Sequence, residues 1–402
     1  MRILMLSWEY PPRIVGGISR VVYNLSQKLG KLGNEVHVIT LWEQDTKEYE
    51  NTENVHVHRV KTIDIDTNSF IDWVMQLNFV FIEKAIKIIN ETGTFDVIHA
   101  HDWVVAFAAC TIKKSYLIPL CATIHATEHG RNLGIYNDTQ KYINKVEWWF
   151  SYEAWEIITN SHYMKNEVKR LFNLPDEKIK MIYNGIDFER FEGYKKNLEF
   201  RRKYAADCEK IVLFVGRLVS AKGVDLLIDA APRVLEHYND AKFIIVGKGP
   251  QFDCLNEKAN LMGIKEKVLL TGYIEDDELH NLYMVSDVAV FPSRYEPFGI
   301  VALEGMLANI PVIASDTGGL SEIIEHDVDG FKFYAENSNS LADNILKAFN
   351  NPDICKEIIF NAKKKIKELF NWEKISNKTL AVYNEIIEES KNTNWKENNK
   401  KE

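Results

Sequence analysis

Two α/β domains, each a doubly wound parallel sheet, are what this sequence predicts, and three observations predict them. Short β-branched runs alternate with helix-period segments from the first residues onward. The alternation lapses once, near the middle, and restarts in the same form. The 402 residues are too many for one ordinary core and suit two domains of comparable size.

Taken in order, Arg2 to Leu6 reads as a strand, Ile18 to Leu32 as a helix stopped by Gly33, and Val36 to Thr40 as a second strand, which together make a βαβ unit. Strands follow at Val55 to Val60, Val97 to His99, Leu120 to Ile124, Ile157 to Thr159 and Ile179 to Ile182, with helical segments between most of them. The apolar stretch Phe70 to Ile89 is interrupted by Asp72, Gln76, Asn78, Glu83, Lys84 and Lys87, so it reads as an amphipathic helix in water, not a membrane span. From Gly185 to about Glu209 the periodicity gives way to a charged segment carrying Lys195, Lys196, Arg201, Arg202 and Lys203. The second domain then opens with Ile211 to Val215 and continues with strands Lys242 to Val246, Val268 to Leu270, Val288 to Phe291, Pro311 to Ala314 and Gly330 to Phe333. Helical patterns run from about Ser340 to Phe370 and from Trp372 to Glu389. The expected layout is a Rossmann-like domain 1–190, a linker 191–209, a second Rossmann-like domain 210–371, a closing helix 372–390 and a polar, disordered tail 391–402.

Composition narrows the function. A net charge of −9, with no run of Lys and Arg interleaved with aromatics, argues against nucleic acid as a partner. The five cysteines are scattered and never form a CxxC pair, which indicates neither a disulfide framework nor a zinc ribbon. The chain enters its first strand without a charged n-region and apolar core, so a cytoplasmic protein is expected.

In open α/β sheets ligands bind beyond the carboxyl ends of the strands, and the loops there carry the informative motifs. After the first strand comes Ser7-Trp8-Glu9-Tyr10-Pro11-Pro12-Arg13-Ile14-Val15-Gly16-Gly17, whose paired glycines let the backbone approach a phosphate at a helix start. GxGxxG is absent and the second strand ends in Thr40-Leu41-Trp42 with no ribose-binding acid, which disfavours an NAD enzyme. After the strand opening the second half, Gly216-Arg217-Leu218-Val219-Ser220-Ala221-Lys222-Gly223 sets two cations five residues apart on one loop. Fixed cations of this kind stabilise a departing diphosphate by several kcal/mol, roughly the scale of a lost oxyanion donor, with no metal required. A lone Arg and Lys are more commonly just a solvated basic loop. The richest segment is Phe291-Pro292-Ser293-Arg294-Tyr295-Glu296-Pro297-Phe298-Gly299-Ile300-Val301-Ala302-Leu303-Glu304, where the amides of Phe298 to Val301 open a helix. Glu296 lies in the loop within reach of sugar hydroxyls, and Glu304 on the first turns of the helix, where its apolar neighbours Leu303 and Met306 argue against simple exposure. Asp316-Thr317-Gly318-Gly319 follows the next strand.

On Glu9-Tyr10-Pro11-Pro12 with Gly16-Gly17, Asn184-Gly185-Ile186-Asp187, Gly216-Arg217 with Lys222-Gly223, and Glu296-Pro297-Phe298-Gly299 with Glu304, nearly the whole chain resembles a retaining family-four glycosyltransferase of the superfamily that includes glycogen and sucrose synthases. The resemblance implies a GT-B fold, two Rossmann-like domains facing a central cleft, with the first on the acceptor side and the second binding a nucleotide diphosphate-sugar. It implies that Arg217 and Lys222 hold the diphosphate, Glu304 the ribose, Glu296 the transferred sugar, and Gly16 with Gly17 the phosphate from the opposite domain. The resemblance also implies a substrate-binding role for Phe298, Gly299, Ile300, Thr317 and Gly318. It further implies same-face attack in which the leaving phosphate helps deprotonate the acceptor, no cofactor and no metal, and a closing helix that returns to the first domain.

His125 in Thr123-Ile124-His125 resembles the family histidine that touches the donor sugar and its phosphate, and Asp102 and Trp103 resemble acceptor-side residues of glycogen synthases. A rival reading gathers His99, His101, Asp102, His125 and His129 at one sheet edge as the metal site of a hydrolase, although His99 also suits a buried strand position. It leaves Arg217, Lys222 and both glutamates unused. A nucleotide-sugar epimerase would share the scaffold but act without an acceptor. His101-Asp102-Trp103 and Thr317-Gly318-Gly319-Leu320 favour a glucosyl donor and an α-glucan acceptor, the alternative being mannosyl or N-acetylglucosaminyl transfer to a lipid or small molecule. Bacterial glycogen synthases carry a Lys two residues before the glycine pair, where this chain has Ile14 beside Arg13. Lys165, Lys169 and Arg170 near Met164, Val168, Leu171 and Phe172 allow at most a weak peripheral membrane contact.

Overall fold

The computed structural model describes residues 1–63, 65–393 and 395. The chain divides into two compact units, residues 1–185 with 372–402, and residues 186–371. The first holds an eight-stranded sheet: β1 (Arg2–Leu6), β2 (Glu35–Leu41), β3 (Tyr49–Thr52), β4 (Val55–Val60), β5 (Val97–His101), β6 (Leu120–Ile124), β7 (Glu156–Thr159) and β8 (Ile179–Met181). Their order is β3-β4-β2-β1-β5-β6-β7-β8, and every pairing is parallel except β3 with β4. The second unit holds β9 (Lys210–Val215), β10 (Ala241–Val246), β11 (Val268–Gly272), β12 (Val288–Phe291), β13 (Val312–Ser315) and β14 (Phe331–Phe333), all parallel, in the order β11-β10-β9-β12-β13-β14. Parallel neighbours need crossovers, and the helices between strands supply them.

Both sheets reverse direction once, between β1 and β5 in the first unit and between β9 and β12 in the second. The crevice beyond the carboxyl ends of the strands at such a switch point is where open α/β sheets bind ligands. The loops after β1, β5 and β6, and those after β9, β12 and β13, are the ones that carry the sequence motifs. The strands between them are buried throughout: Ile3 to Leu6, Ile98, Ala100, Val212, Leu213, Ala289 and Val290 are at most 1% exposed. Such continuous apolar runs suit strands covered on both faces.

Four expectations change. The first unit ends at Gly185, not at residue 190, and the segment read as a linker over 191–209 folds into the second unit. Its charges misled because one of them is tied into the unit: Arg201 is 4% exposed, bonds the carbonyls of Val285 and Glu209, and lies 2.9 Å from Asp287. The helical pattern Ser340 to Phe370 is two helices, Ser338–Asn350 and Pro352–Leu369, because Pro352 cannot donate to the helix before it but suits the first position of the next. The last helix, Trp372–Asn392, runs past residue 390, so Lys391 and Asn392 of the expected tail are helical while 394 and 396–402 lie outside the described residues.

The helix expected from Phe70 to Ile89 forms as Phe70–Thr92, with Ser69 capping it by accepting from the Asp72 amide at 3.2 Å. Among the described residues no helix is long and apolar enough to cross a membrane. The basic helix His162–Phe172 buries Met164, Val168 and Phe172 in its own unit, and Lys165 and Lys169 both bond Asp176. The apolar side that suggested a membrane contact is therefore already covered.

Candidate functional site

In the first unit the glycine pair closes the loop after β1, and the helix Gly17–Lys31 starts from it. The buried carboxylate of Glu9 accepts from the amides of Val15 at 3.0 Å and Gly16 at 2.8 Å, which fixes the loop from inside. A Cβ on Gly16 would meet nothing within 4 Å, and its backbone is extended, so packing does not account for glycine there. Open space beside a glycine is what close approach by a ligand requires.

Asp102 follows β5 and His125 follows β6. Asp102 was expected on the acceptor side, but its carboxylate is 3% exposed and engaged within the unit. Oδ1 accepts the His125 amide at 2.7 Å and Oδ2 accepts Arg131 at 3.2 Å. Its φ of 59° is unusual for a residue with a side chain, and these bonds hold it there. His125 Nε2 lies 3.0 Å from His101 Nδ1, while His99 bonds Thr123 at 2.7 Å through Nε2 and Tyr383 at 2.6 Å through Nδ1. His99 is buried in its strand, as the alternative to a metal ligand required. Burial drives its pKa down to about 3, and burial first, then neighbouring imidazoles, pushes His101 well below the usual range. For His125, burial and Arg131 lower the pKa against the opposing pull of Asp102. All three rings are neutral hydrogen-bonding groups at pH 7.

These imidazoles bond one another and their neighbours, which is not the convergence on one point that a metal needs. Among the described residues, ligand atoms within 4.8 Å of one another occur in two other groups, Glu35 with His37 and His56, and Glu156 with Glu385 and Glu389. The first sits at the amino-terminal ends of β2 and β4, with Arg2 3.0 Å from Glu35. In the second, Lys180 lies 2.9 Å from Glu385. A resident protein cation already answers the negative charge in each.

Sequence reasoning missed an aromatic cluster in this unit. Trp8 meets Trp73 edge-on at 6.0 Å, Phe70 stacks on Trp73 at 5.5 Å, and Phe70 meets Trp103 at 6.0 Å. Trp8 and Trp103 come from the loops after β1 and β5, while Phe70 and Trp73 come from a helix. Phe70 is 48% exposed. The members are scattered along the chain, so no local pattern reveals them.

In the second unit three loops are bonded into one cradle. Ala221 carbonyl oxygen accepts the amides of Arg294 at 2.9 Å and Tyr295 at 3.1 Å, tying the loop after β9 to that after β12. The amide of Gly319 donates to the Glu296 carbonyl at 2.8 Å, and the Ser315 hydroxyl to the Ser293 carbonyl at 2.6 Å, adding the loop after β13. Gly318 has φ +55° and a Cβ there would stand 2.3 Å from the Glu296 carbonyl oxygen, so only glycine fits. Thr317 precedes it, half-buried, and Gly299, at φ +113°, opens the helix Ile300–Leu307. Phe298 is buried against Phe370 at 5.8 Å, and Ile300 begins the helix whose first-turn amides have no intrahelical partner.

The charged residues divide into two pairs. Lys222 Nζ donates to Glu296 Oε2 at 2.6 Å, and Ser293 donates to the same oxygen at 3.3 Å. Arg217, on the same loop as Lys222, is exposed. Glu304 is 2% exposed, as its apolar neighbours suggested, and pairs with Arg190 while Tyr283 donates to it at 3.4 Å. Burial disfavours charge on Arg190, but the carboxylates of Glu304 and Asp276 outweigh this and hold its pKa above the ordinary value. Arg190 was not foreseen. It stands three residues beyond the Asn184-Gly185-Ile186-Asp187 motif, and adjacency to that motif is the one signal that could have raised it.

Residues 15–190 match the family described as Glycosyltransferase Family 4 and residues 196–365 that described as Glycosyl transferases group 1. An uncharacterized glycosyltransferase of Methanocaldococcus jannaschii is 41% identical over 392 residues, covering 96% of this chain and 99% of the relative. The glycogen synthase of Mycobacterium tuberculosis is 32% identical over 95% of this chain and 94% of its own. The solved sucrose-phosphate synthase from Thermosynechococcus elongatus superposes with a TM-score of 0.80 at 22% identity, covering 96% of this chain and 99% of that one, which gives the fold as GT-B. With both halves matched and a relative of this identity spanning the full length, the chain belongs to the group 1 glycosyltransferases and is a transferase enzyme.

Proposed function

We propose that this enzyme moves a hexosyl group from a nucleoside diphosphate-sugar to a glucan hydroxyl with retention at the anomeric carbon, in the manner of a glycogen synthase and without a metal ion. The observation that carries the donor half is the Lys222–Glu296 pair, held at 2.6 Å in a cradle of three mutually bonded loops. A lysine held there by one carboxylate is a fixed positive charge with donors to spare, since an ammonium has three. It stabilises the charge that develops on the departing diphosphate, and Arg217 supplements it from the same loop. Glu296, oriented by Lys222 and Ser293, takes sugar hydroxyls. Glu304, anchored by Arg190, offers its remaining acceptor capacity to the ribose, and the first-turn amides at Ile300 face the phosphates. In the first unit Gly16 and Gly17 give a phosphate close backbone approach and His125 donates a hydrogen bond to the donor. Asp102 acts indirectly, by holding His125 in place.

The identity with a glycogen synthase supports a glucan acceptor, and so does the aromatic cluster of Trp8, Phe70, Trp73 and Trp103, in which Phe70 is exposed, because aromatic faces pack well against the C–H face of a sugar ring. Mannosyl or N-acetylglucosaminyl transfer to a lipid is less favoured, since the one basic amphipathic helix considered for membrane contact spends its apolar face internally. Free cysteines at 110, 121 and 355, all buried, fit a reducing cytoplasmic setting.

The test is release of nucleoside diphosphate from ADP-, UDP- and GDP-sugars in the presence of EDTA, with and without glycogen. Glycogen-stimulated release from one glucose donor is the expected result. Release that glycogen does not stimulate would move the acceptor to a lipid, protein or small molecule. Loss of release on chelation would overturn the metal-free reading.

A further inference from the structure

Among the buried side-chain atoms of the first unit that have no hydrogen-bond partner among the described residues are His101 Nε2, Asn160 Oδ1 and Trp372 Nε1. The three residues line one cavity of about 20 Å³, whose remaining wall includes Val21, Leu25, Thr123, Ile375 and Thr379. Two of them also touch His125. His101 does so through Nδ1, 3.0 Å from His125 Nε2, and Asn160 through its amide nitrogen, 3.4 Å from the His125 carbonyl oxygen. Trp372 opens the last helix, with its indole packed against Gly185 so tightly that a Cβ there would come within 2.5 Å of the ring.

A buried water needs roughly 10–15 Å³ and two to four polar partners. This cavity offers that space and three orphaned polar atoms of complementary type. We infer that one water occupies it and, through His101, fixes the tautomer in which His125 meets the donor. The inference rests on the reading of His125 given above.

The inventory of donors and acceptors selects the arrangement. An indole N–H can only donate and an amide oxygen can only accept. The water therefore accepts from Trp372 and gives one hydrogen to Asn160. Its second hydrogen goes to His101 Nε2, the remaining orphaned atom among these three wall residues. His101, being neutral, then carries its proton on Nδ1 and donates to His125 Nε2. His125 must in turn carry its own proton on Nδ1, so that ring nitrogen is presented as a donor. A partner on one ring nitrogen setting the state of the other is the usual way a histidine tautomer is chosen. Trp372 and Asn160 are thus positioning residues, and the first turn of the last helix acts on the site without touching substrate.

The full-length protein labelled with ¹⁵N at histidine tests this by long-range ¹H–¹⁵N correlation at pH 7, which separates the two tautomers. The expected spectrum has His101 and His125 both protonated at Nδ1. Trp372→Phe keeps the ring and removes the donor, so both histidines should shift toward mixed tautomers while kcat falls roughly 3- to 30-fold with little change in KM. Asn160→Ala should do the same if Trp372→Phe folds poorly. Nε2-protonated rings in the wild type, or an unchanged tautomer pattern in both variants, would overturn the inference. If His125→Ala retains wild-type turnover, the role of His125 fails instead, and the spectrum still decides whether the relay exists.

Discussion

At the carboxyl ends of its strands the first unit places neutral rings beside the ion pair of Asp102 with Arg131, and the second places charges in pairs. His99, His101 and His125 are buried, uncharged and bonded to one another or to hydroxyls, whereas Lys222 with Glu296 and Arg190 with Glu304 are ion pairs with one or both members buried. Both regions close the same sort of switch point in the same sort of sheet, and under the proposed function the difference follows from what each has to meet. A neutral hydrogen-bond array is directional and indifferent to salt, which suits positioning of an uncharged sugar. Paired charges in a low-dielectric cradle are strong and already organised, which suits a leaving group that gains charge during the reaction.

If that contrast is right, breaking a charge pair should cost most. Arg190→Met leaves Glu304 buried with its main partner gone and should destabilise the protein by about 3–5 kcal/mol in denaturant unfolding. Adding Glu304→Gln should return part of that loss, as a double-mutant cycle would show. Next comes Lys222→Ala, which should lower turnover by roughly 10²- to 10³-fold as judged by steady-state release of nucleoside diphosphate. Turnover within a factor of a few of wild type would remove Lys222 from the leaving-group role.

The neutral half should announce itself through pH. Burial, as the main cause, raises Glu147 to about 8 from an ordinary 4.5, so the folded state holds a proton that the unfolded state has lost. Stability is thereby lost as pH rises from 4.5 to 8, at up to about 1.4 kcal/mol per unit. His99 runs the other way: its folded pKa of about 3 against an ordinary 6.5 means stability is gained as pH rises from 3 to 6.5. Glu147→Gln should therefore be more stable than wild type by a margin that grows between pH 4.5 and 8 and vanishes below, measured by urea unfolding across that range. The smallest expected effect on stability is at Gly16. Gly16→Ala should change unfolding free energy by less than about 0.5 kcal/mol, since nothing packs there, yet raise KM for the donor. An unchanged KM would leave the glycine unexplained.

Much of this was legible in the chain. The β-branched runs gave every parallel strand because a strand buried on both faces is apolar throughout. β3, Tyr49-Glu50-Asn51-Thr52, was not foreseen, since an exposed edge strand needs no apolar run. The glycine loops could be placed because a positive φ or a close backbone contact admits few other residues, as at Gly318 and Gly299. What could not be read was how side chains turn. Asp102 reads equally well as an acceptor-facing acid or an inward clamp, and its bonds to His125 and Arg131 form only when β5 and β6 are side by side. Arg201 looked like linker charge for the same reason, its partner Asp287 being far along the sequence.

The central claim, that the charged cradle of the second unit is the main holder of the nucleoside diphosphate and needs no metal ion, is most directly tested by calorimetric titration of ADP, UDP and GDP into the wild type, Lys222→Ala and His125→Ala proteins in EDTA. The account predicts metal-free binding of at least one nucleotide by the wild type, a loss of about tenfold or more in Lys222→Ala, and a smaller loss in His125→Ala. Equal affinity in wild type and Lys222→Ala, or binding that appears only when a divalent metal is restored, would contradict it.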